Sequence, residues 1–351
     1  MMKDFDFLKR ISEADGIPGA EDEVREIIKE ELRDFSDEFT YDNLGSIIAV
    51  KKGEREDLKV SIVSHMDEVG FVVRSIDSKG FLRVFPLGGW NPHMIIASKV
   101  IITSYKGRKF TGVMITDKST KDISFDDVYV DLGVSSDKEV EEFGIRPGDM
   151  VTPAREVEVM NGTKNILGKA WDDRIGCATM VSVLKELKDA KHNNTVYGVG
   201  SVQEEVGTRG GFTTTAVVKP DIAIIVDVAS TKDTPTLGGK GRKLNEGPCL
   251  VVCDKLAIGN KKLLNLFVDV AKEENIDFQY DILSGGGTDS GAVHLYDAGV
   301  PSLSVVIPVR YAHTGTTIVN YDDYQKAVKL VTSVVKRLDK DFLDDLYSYK
   351  K

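Results

Sequence analysis

The chain has 351 residues, of which 41% are apolar and 29% are charged, so it can bury a sizeable core, and its length favours two domains over one. Its 46 Lys and Arg residues against 56 Asp and Glu residues give a formal net charge of −10, which argues against general binding to nucleic-acid phosphates. The amino-terminal residues contain no apolar signal region, and no apolar run approaches the ~20 residues that span a bilayer. We therefore expect a cytoplasmic protein with neither nucleic-acid nor membrane partners.

The first predicted elements are one helix and two strands. Residues 21–35 place their apolar side chains on one face, which predicts an amphipathic helix that covers a sheet. The short runs 45–50 and 59–64 are rich in Ile and Val and predict strands. Because the second run leads directly into His65, we expect a strand that carries a histidine at its carboxyl end.

Helical periodicity disappears between residues 70 and 165. Short alternating apolar runs, such as 82–84 and 100–102, are separated there by turns that contain glycine. This pattern predicts a small β-rich, barrel-like domain at residues 70–165, inserted into a larger domain made of residues 1–69 and 166–351.

Strand and helix signals alternate after the insert. The predicted strands are residues 195–202, 222–226 and 301–307, and the predicted helices are residues 263–271 and 328–338. Such alternation is typical of an α/β domain, in which helices flank a central sheet.

The acidic pair Asp172-Asp173 stands beside Arg174, just before a helical pattern that begins at Met180. An isolated sequence of this kind is usually a helix cap with a surface ion pair. Two adjacent carboxylates in a turn can also hold a cation, and we interpret Asp172 as a bridge between two metal ions because other metal-ligand types occur elsewhere in the chain.

Further candidate ligands follow strand-like runs, and they are His65, Glu204, Glu205, Asp227 and His313. Each alone has an ordinary explanation as a core histidine, a loop carboxylate, a turn residue or a surface residue. In an α/β sheet, however, sites assemble at the carboxyl ends of the strands. Two histidines and three carboxylates suit two divalent ions that share Asp172 and retain room for water.

Two further roles follow from the spacing. Asp67 can accept a hydrogen bond from the far nitrogen of His65 and fix its tautomer. Side chains alternate along extended backbone, so we expect Glu204 and Glu205 to differ in role, one as a ligand and the other in proton transfer.

Six ordered motifs across nearly the whole chain resemble one family, the tetrahedral cocatalytic metallo-aminopeptidases of clan MH, and especially their glutamyl aminopeptidase branch. The motifs are Ser64-His65-Met66-Asp67-Glu68-Val69-Gly70, Pro86-Leu87-Gly88-Gly89-Trp90-Asn91-Pro92, Lys169-Ala170-Trp171-Asp172-Asp173-Arg174, Gln203-Glu204-Glu205-Val206-Gly207, Gly286-Gly287-Thr288-Asp289 and Arg310-Tyr311-Ala312-His313.

The resemblance implies a dinuclear metallo-exopeptidase fold and a specific division of the ligands. One metal would be held by His65, Asp172 and Asp227, the other by Asp172, Glu205 and His313, with Glu204 as the catalytic base. It also implies a cis peptide near Asp172-Asp173. The inserted domain would form dimers that assemble into a hollow tetrahedral dodecamer, which admits short peptides.

The expected activity is therefore the removal of amino-terminal residues, with preference for Glu or Asp, by an aminopeptidase that uses two Zn²⁺, Co²⁺ or Mn²⁺ ions per subunit. Three alternatives stay open: a broad-specificity, leucyl-type aminopeptidase, a glucanase, and a non-catalytic metal-binding assembly subunit.

An acidic substrate side chain needs a cation or several donors. The candidate basic residues near the predicted site are Arg242, Lys243, Lys255 and Arg310.

The glycine-rich run 285–291 lacks a following Lys at P-loop spacing, so we interpret it as a turn that lines the substrate pocket rather than a phosphate loop.

Overall fold

The computed structural model describes residues 2–119 and 121–350. The described residues form the following strands, in chain order: β1 (Glu38–Tyr41), β2 (Ile47–Lys51), β3 (Lys59–His65), β4 (Gly70–Ile76), β5 (Leu82–Leu87), β6 (Ser98–Thr103), β7 (Lys109–Ile115), β8 (Tyr129–Asp131), β9 (Met150–Pro153), β10 (Glu158–Val159), β11 (Asn165–Gly168), β12 (Thr195–Ser201), β13 (Ile222–Ser230), β14 (Cys249–Cys253), β15 (Gln279–Ile282), β16 (Ser302–Arg310) and β17 (Thr317–Asn320). The helices are α1 (Phe5–Glu13), α2 (Asp22–Leu32), α3 (Asp137–Phe143), α4 (Trp171–Glu186), α5 (Arg209–Val218), α6 (Lys261–Glu273), α7 (Ser290–Val293), α8 (Tyr321–Arg337) and α9 (Lys340–Leu346).

Eleven strands form one mixed sheet in the order β1-β2-β12-β3-β13-β16-β17-β11-β10, with β14 beside β16 and β15 beside β14. The central strands β12, β3, β13 and β16 run parallel, whereas the pairs toward both ends of the main order are antiparallel. The carboxyl ends of these four strands therefore meet at one edge of the sheet.

The central strands are apolar along their length because helices cover both faces of the sheet. Ile62 and Ile224 belong to the cluster that contains Met180 of α4, while Val63 and Ile225 belong to a second cluster that contains Val218 of α5. Neighbouring residues thus face opposite helix layers. This arrangement confirms the predicted α/β fold with a central sheet flanked by helices.

A closed barrel follows β3, with the strand order β4-β5-β8-β7-β6-β9. All of its pairs are antiparallel, and its core is built around buried side chains such as Phe71, Val100 and Val151. The chain then returns to the large sheet through β10 and β11. The predicted barrel-like insert is thereby confirmed, whereas the exact bounds of residues 70–165 stay a prediction.

The barrel contacts the larger domain through a buried carboxylate. Asp15 Oδ2 lies 2.7 Å from the Lys109 Nζ of β7, and Asp15 Oδ1 accepts a hydrogen bond of 2.7 Å from the Thr152 hydroxyl of β9. The same Oδ1 lies 2.8 Å from the Lys169 Nζ, just before α4. In the part of the chain that the structure describes, no helix is long and apolar enough to cross a membrane.

Candidate active site

Two of the candidate ligands come from neighbouring parallel strands. Ile225 of β13 pairs with Val63 of β3, so Asp227 and His65, each two residues further on, lie side by side at the carboxyl edge. The two side chains are buried, and His65 Nε2 lies 4.0 Å from Asp227 Oδ1.

Asp172 lies between the two candidate histidines. Its Oδ1 is 3.2 Å from His65 Nε2, and its Oδ2 is 3.3 Å from His313 Nε2. The two oxygens of one carboxylate thus face two different histidine nitrogens, which is the arrangement that a bridging ligand requires.

The backbone at the start of α4 separates the two acidic side chains. The helix begins at Trp171, nine residues earlier than its apolar periodicity predicts, but Asp172 and Asp173 have non-helical backbone angles. The peptide bond between them is cis, as the resemblance implies. Asp173 is fully buried and accepts backbone N–H groups from His65 at 3.2 Å and from Gly176 at 3.1 Å, whereas Asp172 faces the cavity.

His313 lies three residues beyond β16, where Tyr311 and His313 both have positive φ. Its Nε2 is 3.4 Å from Glu205 Oε1, and its Nδ1 lies 3.0 Å from the Gly89 carbonyl oxygen in the loop that follows β5 of the barrel. The barrel therefore contributes a backbone group to the site.

Both histidines present the same nitrogen to the centre. His65 Nδ1 lies 2.9 Å from the Asp67 carbonyl oxygen, and His313 Nδ1 has its carbonyl partner in Gly89. Because a carbonyl oxygen only accepts, each Nδ1 carries the proton and each Nε2 is available as a ligand.

The Asp67 carboxylate, predicted to accept a hydrogen bond from His65, lies near that histidine but is not its shortest contact. Its Oδ1 lies 3.5 Å from His65 Nδ1, beyond the shorter bond to the Asp67 carbonyl. The carboxylate instead accepts the backbone N–H groups of Glu204 at 3.0 Å and Glu205 at 3.1 Å. Asp67 thus connects His65 to the segment that carries both glutamates.

Glu204 and Glu205 do not lie on extended backbone. The strand β12 ends at Ser201, and the Glu204 carbonyl oxygen accepts the N–H groups of Gly207 and Thr208, which closes a turn. The predicted alternation of faces therefore does not apply here. Both side chains nevertheless reach the cavity, with Glu205 beside His313.

The charges of the site are strongly coupled. Burial raises the pKa of Glu204 well above its usual range and raises the pKa of Asp227 to about 8. Burial opposes the charged forms of both Asp172 and His65, but their neighbours outweigh it. His313 and His65 keep the pKa of Asp172 below its ordinary value. Asp172 and Asp67 keep the pKa of His65 well above its ordinary value. A divalent cation at this place would compete with these protons for the same atoms.

The donor set fits divalent cations. Ligand atoms of His65, Asp172 and Glu205 all lie within 4.8 Å of one another, and a second such group comprises His65, Asp173 and Asp227. Tetrahedral ligands at ~2.0–2.1 Å from a metal are roughly 3.3 Å apart, close to the separations of 3.2–3.4 Å between Asp172, Glu205 and the two histidines. Glu205 Oε1 is buried and has no hydrogen-bond partner among the described residues, so it is available to a cation.

The site opens into a cavity of about 560 Å³. Its walls include Gly285, Gly286 and Gly287, in agreement with the predicted role of the glycine-rich turn. Lys232 also lines it, is partly exposed, and forms no ion pair with the residues that the structure describes. Lys232 is not among the basic residues expected from the sequence, although its position five residues beyond Asp227, just after β13, is a signal that the sequence contains.

The four basic residues proposed from the sequence are placed less favourably. Arg242 lines the cavity but is paired with Asp281, and its Nε donates to the Ser230 carbonyl oxygen at 2.6 Å. Arg310 is paired with Asp233 at 2.7 Å. Lys243 and Lys255 are not among the residues that line the cavity.

The sequence pattern of one family covers most of the chain. The model of the M42 glutamyl aminopeptidases matches residues 45–330. The chain belongs to the M42 family. It is therefore a peptidase, its named relatives support a metallo-aminopeptidase, and the family implies a divalent metal.

Named M42 relatives differ in specificity. The glutamyl aminopeptidase of Lactococcus lactis subsp. cremoris is 32% identical over 99% of this chain and 100% of that protein. The lysyl aminopeptidase of Pyrococcus furiosus is 31% identical over 96% of this chain and 98% of its own length.

Solved structures share the M42 fold. The TET aminopeptidase from a marine sediment archaeon, Thaumarchaeota archaeon, superposes with a TM-score of 0.95 at 35% identity and covers 98% of this chain and 99% of its own. The Pyrococcus horikoshii TET1 peptidase, which can assemble into a tetrahedron or a large octahedral shell, has a TM-score of 0.86 at 27% identity over 95% of this chain and 99% of its own.

Proposed function

We propose that this chain is a dinuclear metal-dependent aminopeptidase that removes amino-terminal Glu or Asp from short peptides. The observation that carries the proposal is the position of Asp172, with one oxygen toward His65 and the other toward His313. His65, Asp172 and Asp227 would hold one divalent ion, and Asp172, Glu205 and His313 would hold the other. The donor set of imidazole and carboxylate suits Zn²⁺, Co²⁺ or Mn²⁺.

Bound divalent ions supply Lewis acidity and lower the pKa of a coordinated water toward neutrality. Glu204 is the proton carrier of the proposed reaction, because it faces the cavity and is not needed as a ligand. Its carboxylate can take a proton from water and return it to the departing amine, and burial, which raises the pKa of Glu204, favours holding that proton in between. Asp67 supports this step by holding the backbone of Glu204 and Glu205.

Lys232 is the residue that we assign to recognition of the acidic substrate side chain. It lines the cavity, and its ammonium group has no ion-pair partner among the described residues, in contrast to Arg242 and Arg310. An unpaired cation at the wall of a substrate cavity favours an anionic side chain and leaves a neutral one without compensation.

The alternatives are separated by particular observations. Because one relative is named a lysyl aminopeptidase, the alternative is a different or broader specificity of this chain. Comparing kcat/KM between acidic, leucyl and lysyl substrates decides between the two. A glucanase would need two carboxyls facing one sugar at ~5 to 9.5 Å, whereas Glu205 lies against His313 in a ligand-like position. A non-catalytic subunit would have no need of Glu204.

The proposed assembly is a closed dodecamer built from dimers. The resemblance assigns dimer formation to the inserted domain, and the tetrahedron of the Pyrococcus horikoshii relative supports closed symmetry here. The barrel also exposes apolar side chains, including Phe85, Tyr105 and Val113, which offer contact area to a second copy. A cytoplasmic location stays a prediction.

The proposal is tested with a set of aminoacyl fluorogenic substrates and with protein that is metal-free or loaded with Zn²⁺ or Co²⁺. A chelator is expected to abolish cleavage and either ion to restore it, with kcat/KM for glutamyl and aspartyl substrates above that for leucyl and lysyl substrates. Full activity of the metal-free protein would contradict metal dependence. Equal or better cleavage of leucyl substrates would reassign the chain to broad specificity.

A further inference from the structure

The segment that carries both cavity glutamates is held by side chains from distant parts of the chain. Four successive backbone N–H groups each donate to a side-chain oxygen. Val202 donates to Ser46 Oγ at 3.3 Å, Gln203 to Glu21 Oε1 at 3.1 Å, Glu204 to Asp67 Oδ1 at 3.0 Å and Glu205 to Asp67 Oδ2 at 3.1 Å. We name residues 202–205 the glutamate loop. Its four backbone N–H groups bond to side-chain oxygens instead of backbone carbonyls, so the position of the loop depends on those side chains.

The backbone of Gln203 makes this dependence stronger. Its φ is 58°, in the left-handed region that side chains other than glycine avoid. A residue with such an angle persists only where surrounding contacts determine it. Glu21 accepts the Gln203 N–H, whereas the carbonyl oxygen and the side chain of Gln203 accept hydrogen bonds from Arg209 at 3.3 and 3.1 Å. Glu21 is therefore the contact that holds Gln203 from outside its own segment, at the residue where the chain bends toward Glu204.

Glu21 is placed as a dedicated acceptor. It is only 3% exposed, and its Oε1 also accepts the Gly19 N–H at 2.7 Å, so it joins the loop before α2 to the glutamate loop. It has no ion-pair partner among the described residues, and burial together with the nearby Asp67 carboxylate raises its pKa to about 7. Burying a carboxylate without a cationic partner costs free energy of folding, so its presence at this position suggests a specific role.

We propose that Glu21 is a positioning residue for catalysis, which sets the place of Glu204 by fixing the Gln203 backbone. This inference rests on the proposed role of Glu204 as the proton carrier. A general base must lie within hydrogen-bond reach of the proton that it takes, and a shift of ~1 Å can reduce turnover by about 100-fold. Glu21 forms no hydrogen bond with a candidate ligand and does not line the cavity, and among the described residues its direct bond to the glutamate loop is the one to the Gln203 N–H.

The test compares Glu21→Ala with Glu21→Gln, because the amide oxygen of Gln can still accept the Gly19 and Gln203 N–H groups. Glu21→Ala is expected to lower kcat by about 10- to 100-fold while KM changes less than about threefold and the metal content per subunit stays unchanged. Glu21→Gln is expected to retain kcat within about threefold of wild type. Asp22→Ala, an exposed change at the next position, serves as the control.

Two further measurements separate positioning from a merely structural role. In a Glu204→Gln background, adding Glu21→Ala is expected to lower the residual kcat by less than about threefold, because the group that it positions is already disabled. Amide hydrogen exchange over residues 202–205, measured without substrate, is expected to accelerate in Glu21→Ala and not in Glu21→Gln or Asp22→Ala.

The exchange experiment also separates this inference from the proposed function. If the wild-type protein cleaved no peptide, the proposed function would fail, and exchange would still decide whether Glu21 holds the glutamate loop. Unchanged exchange and unchanged kcat in Glu21→Ala would overturn the inference. Equal losses of kcat in Glu21→Ala and Glu21→Gln would overturn it as well. So would a loss of kcat in Glu21→Ala that is fully explained by a lower metal content per subunit.

Discussion

His313 Nε2 lies 3.3 Å from Asp172 Oδ2. The other oxygen of the same carboxylate lies 3.2 Å from His65 Nε2, so a single side chain connects two histidines that are separated by almost 250 positions in the sequence. Each histidine has its Nδ1 proton committed to a backbone carbonyl. The site therefore has two similar halves that share Asp172, which is the basis for proposing two cations rather than one.

Replacing Glu204 by Gln should separate proton transfer from metal binding. Because Glu204 is proposed as the base and not as a ligand, Glu204→Gln should retain both metals and lose about 100- to 10,000-fold in kcat. The measurement combines steady-state kinetics with metal content per subunit. A rate near that of the wild type would withdraw the catalytic role of Glu204.

Asp172→Ala provides the contrasting variant. The loss of the shared carboxylate should lower metal content and activity together, since both ions would lose a ligand. Retention of two ions in Asp172→Ala would contradict the bridging role.

Lys232→Gln should change specificity more than catalysis. If Lys232 pairs with the acidic substrate side chain, kcat/KM for a glutamyl substrate should fall by about 10- to 100-fold, while kcat/KM for a leucyl substrate should change by less than about threefold. Lys243→Gln is the matched control, since Lys243 is paired with Glu246 away from the cavity. Parallel losses on both substrates would remove Lys232 from the specificity pocket.

The sequence predicted those features of the fold and site that depend on apolar periodicity and on the positions where strands end. The central strands and the β-barrel follow from apolar patterns, and the placement of His65 and Asp227 follows from the rule that parallel strands end at one edge. The six motifs supplied the grouping of the remaining ligands. In each case the signal is local or shared with a known family.

Features that depend on tertiary contacts were not accessible in this way. The turn at Glu204 arises from acceptors in Glu21 and Asp67, more than 130 positions away, so the expectation of extended backbone was wrong. The pairing of Arg242 with Asp281 likewise removed a candidate that sequence proximity had favoured. Lys232 stands out only when the cavity and its neighbours are known.

The junction between barrel and larger domain should respond to pH through Asp15. Burial alone would raise the pKa of this carboxyl, but the charge of Lys169 and hydrogen bonds from Lys109, Lys169 and Thr152 lower it to about 2, against an ordinary value of 3.8. Because the folded-state pKa is depressed, its contribution to stability is complete above about pH 4 and disappears as the pH falls toward 2.

The variant Asp15→Asn measures this contribution. The difference in the free energy of unfolding between wild type and Asp15→Asn should shrink by on the order of 2 kcal/mol between pH 6 and pH 2. Urea unfolding at a series of pH values gives the difference directly. A difference that is independent of pH would show that Asp15 is not held in its charged form.

The proposed assembly predicts a large particle in solution. Light scattering should report about twelve subunits, as expected for closed tetrahedral symmetry. The measurement is made on the metal-loaded enzyme and paired with an activity assay of the same sample. A strict monomer with full activity would refute the assembly and leave the chemistry of the site unaffected.

The proposed reaction depends on two divalent ions that share Asp172, and anomalous diffraction from crystals loaded with Zn²⁺ would locate these ions. Data collected on the two sides of the zinc absorption edge locate the ions independently of any assumed chemistry. We expect two anomalous peaks, one beside His65 and Asp227 and the other beside Glu205 and His313, with the Asp172 carboxylate between them. One peak alone, or two peaks of which either lies beyond coordination distance of Asp172, would contradict it.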